Sequence, residues 1–334
     1  MRKTIFAVIL LVPALAAAAH VKKPEANVDK RKAPANANAP IKLGEDAPNF
    51  CLFGGQSGKA MPGEAAFNSI VWRSDVVYVG ETHDQPQDHR AQLAALKAMR
   101  IARGQKIAVG FEMLDVTMQP VLDDYAAGKL TEEEFLAKTD WKNNWGFDFA
   151  MYKPLFDFVR DNKLRALALN VPRAVAAKVA RAGLEGLSAD ERALLPEKVE
   201  VSRHQKYNDY LKETFGGHGG SPMGDKFTFA NYQASMAAWN EAMGARIAAF
   251  MEANPGFETL VIAGNGHLMY NAAIPASVKA RAKGLRQASF YTQDAQSCPE
   301  AMPKEHKDMA NYLWYIKHPK PAPAAQPAAP PERK

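Results

Sequence analysis

Residues 76–84 have the sequence VVYVGETHD, in which an apolar, β-favouring run stops abruptly at a carboxylate and an imidazole, Glu81 and His83. Three later apolar runs stop at polar residues in the same way: IAVGF at Glu112, LRALAL at Asn170 and TLVIAG at Asn265, just before His267. Short β-rich runs separated by helical stretches predict a parallel sheet, and ligands of such sheets collect at the carboxyl ends of the strands.

The alternation of strands and helices predicts an α/β protein with a mostly parallel central sheet. Residues 287–292 are expected to form its last strand. The stretches 120–153 and 184–227 are too long for simple crossovers, so they predict helical insertions over the rim formed by the C-terminal ends of the strands. The glycine-rich segment GGHGG at 216–220 is predicted to be a mobile lid.

Two kinds of local signal predict individual helices. Apolar residues recur at helical spacing over 87–101 and over 229–253. Capping-box patterns at Thr131 and Ser188 each predict the start of a helix.

The termini differ in composition from the body of the chain. Residues 1–19 are typical of a secretory signal peptide, 20–43 of a flexible linker, and 319–334 of a Pro/Ala-rich disordered tail. The remainder, 44–318, is predicted to be a single domain. With no lipid-accepting cysteine near the cleavage zone, we expect a periplasmic or secreted protein.

Charge and cysteine content set further bounds. The chain has 42 basic and 36 acidic residues, and because the small surplus is scattered we expect no nucleic-acid partner. Its two cysteines, Cys51 and Cys298, could form a disulfide in an oxidising compartment. The alternative is two separate buried thiols.

Four ionisable residues at three predicted strand ends form the candidate site: Glu81, His83, Glu112 and His267. Carboxylates beside imidazoles suit either a divalent metal or general acid/base chemistry. His83, Glu112 and His267 are the candidate metal ligands. Arg173 is an alternative partner for Glu112, which would give an ion pair instead of a metal site.

Several signatures of other chemistries are missing from the sequence. It has no Gly-x-Gly-x-x-Gly turn, no phosphate-binding loop, no His-Glu-x-x-His helix and no Gly-x-Ser-x-Gly elbow. Cys-x-x-Cys-His is also absent, which excludes that route to covalent haem attachment.

Four motifs in order carry a family resemblance: GETH at 80–83, FE at 111–112, ALNVPR at 168–173, and AGNGHL at 263–268 followed by Ile274-Pro275. Together they resemble the ChaN-like haem-binding uptake family, which shares a superfamily with the Tiki metalloproteases and the erythromycin-esterase-like proteins. The resemblance spans residues 76–292. It implies a three-layer α/β fold and a role in bacterial iron acquisition through haem.

The resemblance also implies a ligand set. Family members are described as binding haem at a dimer interface with a tyrosine on the iron, so a homodimer and an outer-membrane haem receptor are the expected partners. Tyr152 is the first candidate for the iron ligand, and Tyr207 or Tyr210 is the second. Three side chains are candidates to meet the haem propionates: His83, Arg173 and His267.

A metal-dependent hydrolase, either a peptidase or an esterase, is the alternative function. A divalent ion such as Mn, Co or Zn, held by His83, His267 and one glutamate, would lower the pKa of a bound water. The other glutamate would then move the proton. A metal-free variant of this hypothesis uses His83 as the general base.

Overall fold

The fold is built around one eight-stranded sheet. The structure, a computed structural model, describes residues 49–217 and 228–317. The strands, in chain order, are β1 (Phe50–Gly54), β2 (Ala60–Met61), β3 (Val76–Glu81), β4 (Ile107–Asp115), β5 (Arg165–Asn170), β6 (Glu258–Gly264), β7 (Gln287–Ala295) and β8 (Tyr312–Lys317). Their spatial order is β2-β1-β8-β7-β3-β6-β4-β5.

Most of the sheet is parallel. Every neighbouring pair from β8 to β5 is parallel, whereas β1 pairs antiparallel with both β2 and β8. The predicted mostly parallel sheet is therefore confirmed, and an unpredicted antiparallel edge adds to it. At that edge Phe50 faces Ile316, so the first and last described strands pair with each other.

The α-helices alternate with the strands along most of the chain. They are α1 (Gly63–Arg73), α2 (Pro86–Arg103), α3 (Gln119–Ala126), α4 (Glu132–Thr139), α5 (Trp141–Asn144), α6 (Phe149–Asp161), α7 (Arg173–Ala182), α8 (Ala189–Ala193), α9 (Gln205–Gly217), α10 (Phe229–Ala253) and α11 (Ile274–Arg281).

Helices cover both faces of the sheet. Successive side chains of a strand point to opposite faces, so alternate residues of one strand pack into different cores. Val77 and Val79 of β3 pack into a core that includes residues of α1, α2 and α6. Val76 and Tyr78 pack into a second core with residues of α10 and α11. The three-layer prediction is confirmed.

The helix signals in the sequence are confirmed as well. α10 spans the 229–253 stretch, and both Thr131 and Ser188 form complete capping boxes at the starts of α4 and α8. Residues 216 and 217 end α9. The rest of the predicted lid, like the leader, the linker and the tail, lies outside the described residues.

A disulfide joins Cys51 of β1 to Cys298, which follows β7, with 5.8 Å between the two Cα atoms. The structure therefore supports the disulfide rather than two separate buried thiols. Among the helices of the described ranges, none has the length and apolarity needed to cross a membrane.

Candidate functional site

The acids and imidazoles singled out in the sequence meet at one rim of the sheet. Glu81 is the last residue of β3, Glu112 lies within β4, and His267 lies in a short 3-10 turn directly after β6. Because β6 lies between β3 and β4, the three strand ends are neighbours. The predicted convergence of these side chains is confirmed, whereas their chemical roles stay predictions.

One half of the cluster is a chain of hydrogen bonds that begins at Glu112. Its Oε1 lies 3.1 Å from Nε2 of His267, and its Oε2 accepts a 2.6 Å hydrogen bond from the backbone N–H of Gly264. His267 Nδ1 lies 2.7 Å from Oδ1 of Asn240, whose amide donates to the Tyr207 hydroxyl at 3.0 Å. The Glu112 carboxylate and the His267 imidazole thus each have two polar partners.

The other half of the cluster is centred on Glu81. Its Oε1 accepts from the Tyr152 hydroxyl at 2.8 Å and lies 2.8 Å from Nδ1 of His83. Its Oε2 accepts from Nε2 of Gln92 at 2.7 Å. Glu81 is 2% exposed, so three polar neighbours compensate the burial of this carboxylate.

Gly264 lets the two halves approach each other. A Cβ at this position would lie 2.8 Å from Cε1 of His83 and 3.7 Å from Oε2 of Glu112. Any larger residue would therefore collide with the imidazole. The glycine noted in the sequence is required for close packing at this point.

The electrostatics of the cluster follow from these contacts. Burial alone would raise the pKa of Glu112, but the charge and hydrogen bond of His267, together with His83, lower it to about 2. Burial lowers the pKa of His83, but its hydrogen bond to Glu81 and the charge of Glu112 outweigh burial and raise the pKa overall. Glu112 is therefore ionised at neutral pH.

A cavity of about 280 Å³ opens onto the cluster. His83, Glu112 and His267 line it, and Trp145 and Trp239 form part of its wall. The ring of His83 packs against Trp145, with 4.7 Å between ring centroids. In residues 49–217 and 228–317, the Nε2 atom of His83 has no hydrogen-bond partner, so it can serve a bound group as a donor or an acceptor.

Arg173 does not pair with Glu112, so that alternative is wrong. Its guanidinium donates to the backbone oxygen of Asn143 at 2.8 Å, at an exposed position on the wall of the cavity. Glu112 has His267 as its partner instead, because the imidazole follows the neighbouring strand and reaches the carboxylate directly.

The structure does not support the metal set either. In the described part of the chain, no group of three or more His, Cys, Asp or Glu side chains is arranged to hold a metal ion. The atoms that would bind it are engaged with each other. Both oxygens of Glu112 accept hydrogen bonds, and Nδ1 of His83 is held by Glu81.

The tyrosines expected to bind iron do not face this cavity in the described residues. Tyr152 is fully buried, its hydroxyl is bonded to Glu81, and burial beside that carboxylate raises its pKa. Tyr207 is also buried and accepts from Asn240. Tyr210 is half-buried, and its hydroxyl would lie 2.6 Å from a Cβ placed on Gly266. None of the three lines the 280 Å³ cavity.

Two supporting residues were missed as site members in the sequence. Gln92 of α2 and Asn240 of α10 each hold one half of the cluster. Both lie on helices that the sequence predicted, over 87–101 and 229–253. Their contacts with Glu81 and His267 depend on how those helices pack against the sheet, which local sequence signals do not give.

The comparisons with known proteins identify the family and the fold. The family model described as haem-binding uptake, Tiki superfamily, ChaN matches residues 71–278. No curated protein matches the chain.

Solved structures resemble the fold. ChaN of Campylobacter jejuni, solved with cofacial haem, matches with a TM-score of 0.60 and 17% identity, over 80% of this chain and 97% of that chain. A mutant of erythromycin esterase EreC in its open conformation matches with a TM-score of 0.44 and 13% identity, over 73% of this chain and 77% of that chain. The first likeness supports the fold, and the second is too weak to carry an argument. The family model covers more than half of this chain. The chain therefore belongs to the ChaN family of haem-binding uptake proteins in the Tiki superfamily.

Proposed function

We propose that this chain binds haem and takes part in haem acquisition. The family match and the fold of the Campylobacter jejuni protein, which binds haem cofacially, support this proposal. The hydrolase alternative gains no support from them. Whether haem fits this chain depends on the cavities that the structure provides.

The cavity at the Glu112–His267 cluster is small for haem. It encloses about 280 Å³, whereas cavities that bind drug-sized ligands usually enclose about 300–1,000 Å³. Haem has four pyrrole rings and two propionates, so it is larger than most such ligands. We therefore place the haem site elsewhere.

A larger cavity of about 920 Å³ lies beside α11. We call it the Tyr270 cavity. Small apolar residues and one leucine form its wall: Ala272, Pro275, Ala276, Ala280 and Leu285. Tyr270 and His204 contribute rings to it. Its size and apolar wall suit a porphyrin.

The state of the Tyr270 side chain is the observation that carries the proposal. Among the described residues that line this cavity, Tyr270 is the one tyrosine, and it is half-buried. In the described ranges, 49–217 and 228–317, its hydroxyl has no hydrogen-bond partner, whereas those of Tyr152 and Tyr207 are both engaged. A phenolate is a hard anionic donor that suits ferric haem iron. Tyr270 therefore replaces Tyr152 as our candidate for the iron ligand.

The backbone at Tyr270 supports a special role for this residue. Its φ is 59°, and that of Asn271 is 52°, so both are in the left-handed region that residues other than glycine rarely adopt. The Tyr270 N–H donates to Met309 O at 2.6 Å, and the Ser289 hydroxyl donates to Asn271 Oδ1 at 2.6 Å. Such conformations persist only where surrounding contacts impose them, and they concentrate at ligand sites.

His204 supplies a second polar group next to the phenol. Its ring stacks on that of Tyr270, with 5.4 Å between centroids and 16° between planes. Nδ1 of His204 accepts from the backbone N–H of Tyr207 at 3.3 Å, which leaves its proton on Nε2. His204 can therefore donate a hydrogen bond from Nε2 to a bound group.

A neighbouring cavity of about 820 Å³ fits haem less well. Charged residues line it, including Glu200, Arg203 and Glu241, and the hydroxyl of its Tyr207 is already bonded to Asn240. It therefore lacks a free phenol.

Titration of the purified protein with ferric haem tests the proposal. We expect a saturable Soret band and a tyrosinate-type visible spectrum. Gel filtration with and without haem tests the predicted homodimer in the same samples. If haem associates only without saturation, as it does with an unrelated protein, the proposed function is wrong.

The predicted periplasmic or secreted location and the predicted outer-membrane haem receptor belong to the same proposal. A secretory leader at 1–19 is what supports the location. Fractionation of cells that express the full chain tests it. Recovery of the protein with its leader intact in the cytoplasm would contradict this part of the proposal.

A further inference from the structure

We infer that the Tyr270 cavity selects a ligand with two carboxylates, which pair with Lys279 and Lys283. This inference rests on the proposed haem function and extends it, because it names the part of the ligand that the protein recognises by charge. It also replaces the sequence-based expectation that Arg173 and the histidines of the acidic cluster meet the propionates.

The two lysines form a cationic side of the cavity. Lys279 lies on α11, Lys283 follows two residues after its end, and both are exposed and line the cavity. In the part of the chain that the structure describes, neither forms an ion pair. Arg281, which lies between them in sequence, is by contrast paired with Glu241.

The remaining lining of the cavity does not offset this charge. No Asp or Glu is among the described residues that line it. The polar groups are neutral side chains, such as Gln287 and Asn311, and the rest of the wall is apolar. The cavity therefore combines an apolar surface with two cations and an unbonded phenol, which is complementary to a flat apolar ring that carries acids on one edge.

Solvent exposure limits the strength of each pair. An exposed ion pair is usually worth about 0.2–1 kcal/mol, because water and salt screen it. Two such pairs together would be worth about 0.4–2 kcal/mol, which corresponds to about twofold to thirtyfold in affinity. The apolar wall would provide most of the affinity, and the lysines would provide the preference for a dicarboxylate.

A purely structural explanation for the lysines exists, and the test has to separate it from binding. Cations near the C-terminal end of a helix stabilise it by about 0.3–1 kcal/mol through the helix dipole. If that were their whole role, replacing them would lower the melting temperature and leave ligand affinity unchanged.

The experiment compares ferric haem with its dimethyl ester, which keeps the iron and the ring but removes both charges. Affinities are measured for the wild type, for Lys279→Ala with Lys283→Ala, and for a matched control, Lys138→Ala with Lys142→Ala. The control removes the same charge from exposed positions on α4 and α5. Thermal melting of all three proteins is recorded alongside.

We expect the cavity variant to bind ferric haem about twofold to thirtyfold more weakly and to bind the ester as the wild type does. The control should bind both ligands as the wild type does. If the cavity variant binds both ligands unchanged, or loses both equally, the inference is wrong and the haem proposal stands. If the wild type binds neither ligand, the proposed function itself is wrong, and the inference fails with it.

Discussion

Glu112 and His267 form a buried carboxylate–imidazole pair across neighbouring strand ends, with 3.1 Å between Oε1 and Nε2. Glu112 is 5% exposed and His267 is 7% exposed. The pair ties β4 to the turn that follows β6, and Asn240 attaches the same imidazole to α10. It therefore holds sheet and helix layers together at the rim where the small cavity opens.

Replacing Glu112 with glutamine should destabilise the fold. Removing one partner of a buried pair leaves the other without compensation, so we expect a loss of about 3 kcal/mol in the free energy of unfolding. Urea unfolding measures this loss. Glu132→Gln is the matched control, because it breaks the more exposed pair with Lys153 and should cost less than about 1 kcal/mol. Equal losses in the two variants would contradict the structural role of Glu112.

The same pair predicts how stability depends on acid. The pKa of Glu112 in the folded protein is about 2, below its ordinary value of 4.5, so the folded state binds its proton less readily than the unfolded state. The stabilisation is therefore complete above pH 4.5 and is lost as the pH falls from 4.5 towards 2. Urea unfolding of the wild type and Glu112→Gln over this range should show their difference shrinking. A difference that stays constant down to pH 2 would contradict this.

Tyr152→Phe should affect stability and leave haem binding intact. The variant deletes the hydroxyl that donates to buried Glu81, so we expect a loss of about 1–3 kcal/mol. Tyr312→Phe is the control: Tyr312 is half-buried, no described residue bonds its hydroxyl, and its loss should cost less than about 0.5 kcal/mol. Chemical unfolding and haem titration of both variants provide the check. A Tyr152→Phe protein that no longer binds haem would restore Tyr152 as the iron ligand.

The disulfide should contribute substantially to stability. Cys51 and Cys298 are 247 residues apart in sequence, and cross-links that close long loops restrict the unfolded chain strongly. We expect Cys51→Ala with Cys298→Ala to lose about 3–5 kcal/mol. Reductant should destabilise the wild type by a similar amount and leave the double variant unchanged. Two free thiols in the denatured, unreduced wild type would show that the bridge is absent.

The central part of the fold could be predicted from the sequence because its signals are local. The apolar run before Glu81 predicted β3, and the 3.6-residue periodicity of 229–253 predicted α10. The antiparallel edge could not be predicted in this way, since β1 depends on pairing Phe50 with Ile316 at the other end of the chain.

The candidate site was predictable in part for the same reason. Strand ends of a parallel sheet meet, so Glu81, Glu112 and His267 could be brought together from their positions alone. The hydrogen-bond partners of the tyrosines could not be predicted in this way, because Tyr152 bonds to the carboxylate of Glu81, which lies 71 residues earlier in the chain. Tyr270 gave no signal either, since its left-handed backbone depends on contact with Met309.

The visible spectrum of Tyr270→Phe with ferric haem tests the central claim most directly. Tyr210→Phe is the matched control, because Tyr210 is also half-buried but does not line the Tyr270 cavity. We expect Tyr270→Phe to lose the tyrosinate-type bands and to bind haem more weakly, while Tyr210→Phe and the wild type keep both properties. An unchanged spectrum and affinity in Tyr270→Phe would contradict the account.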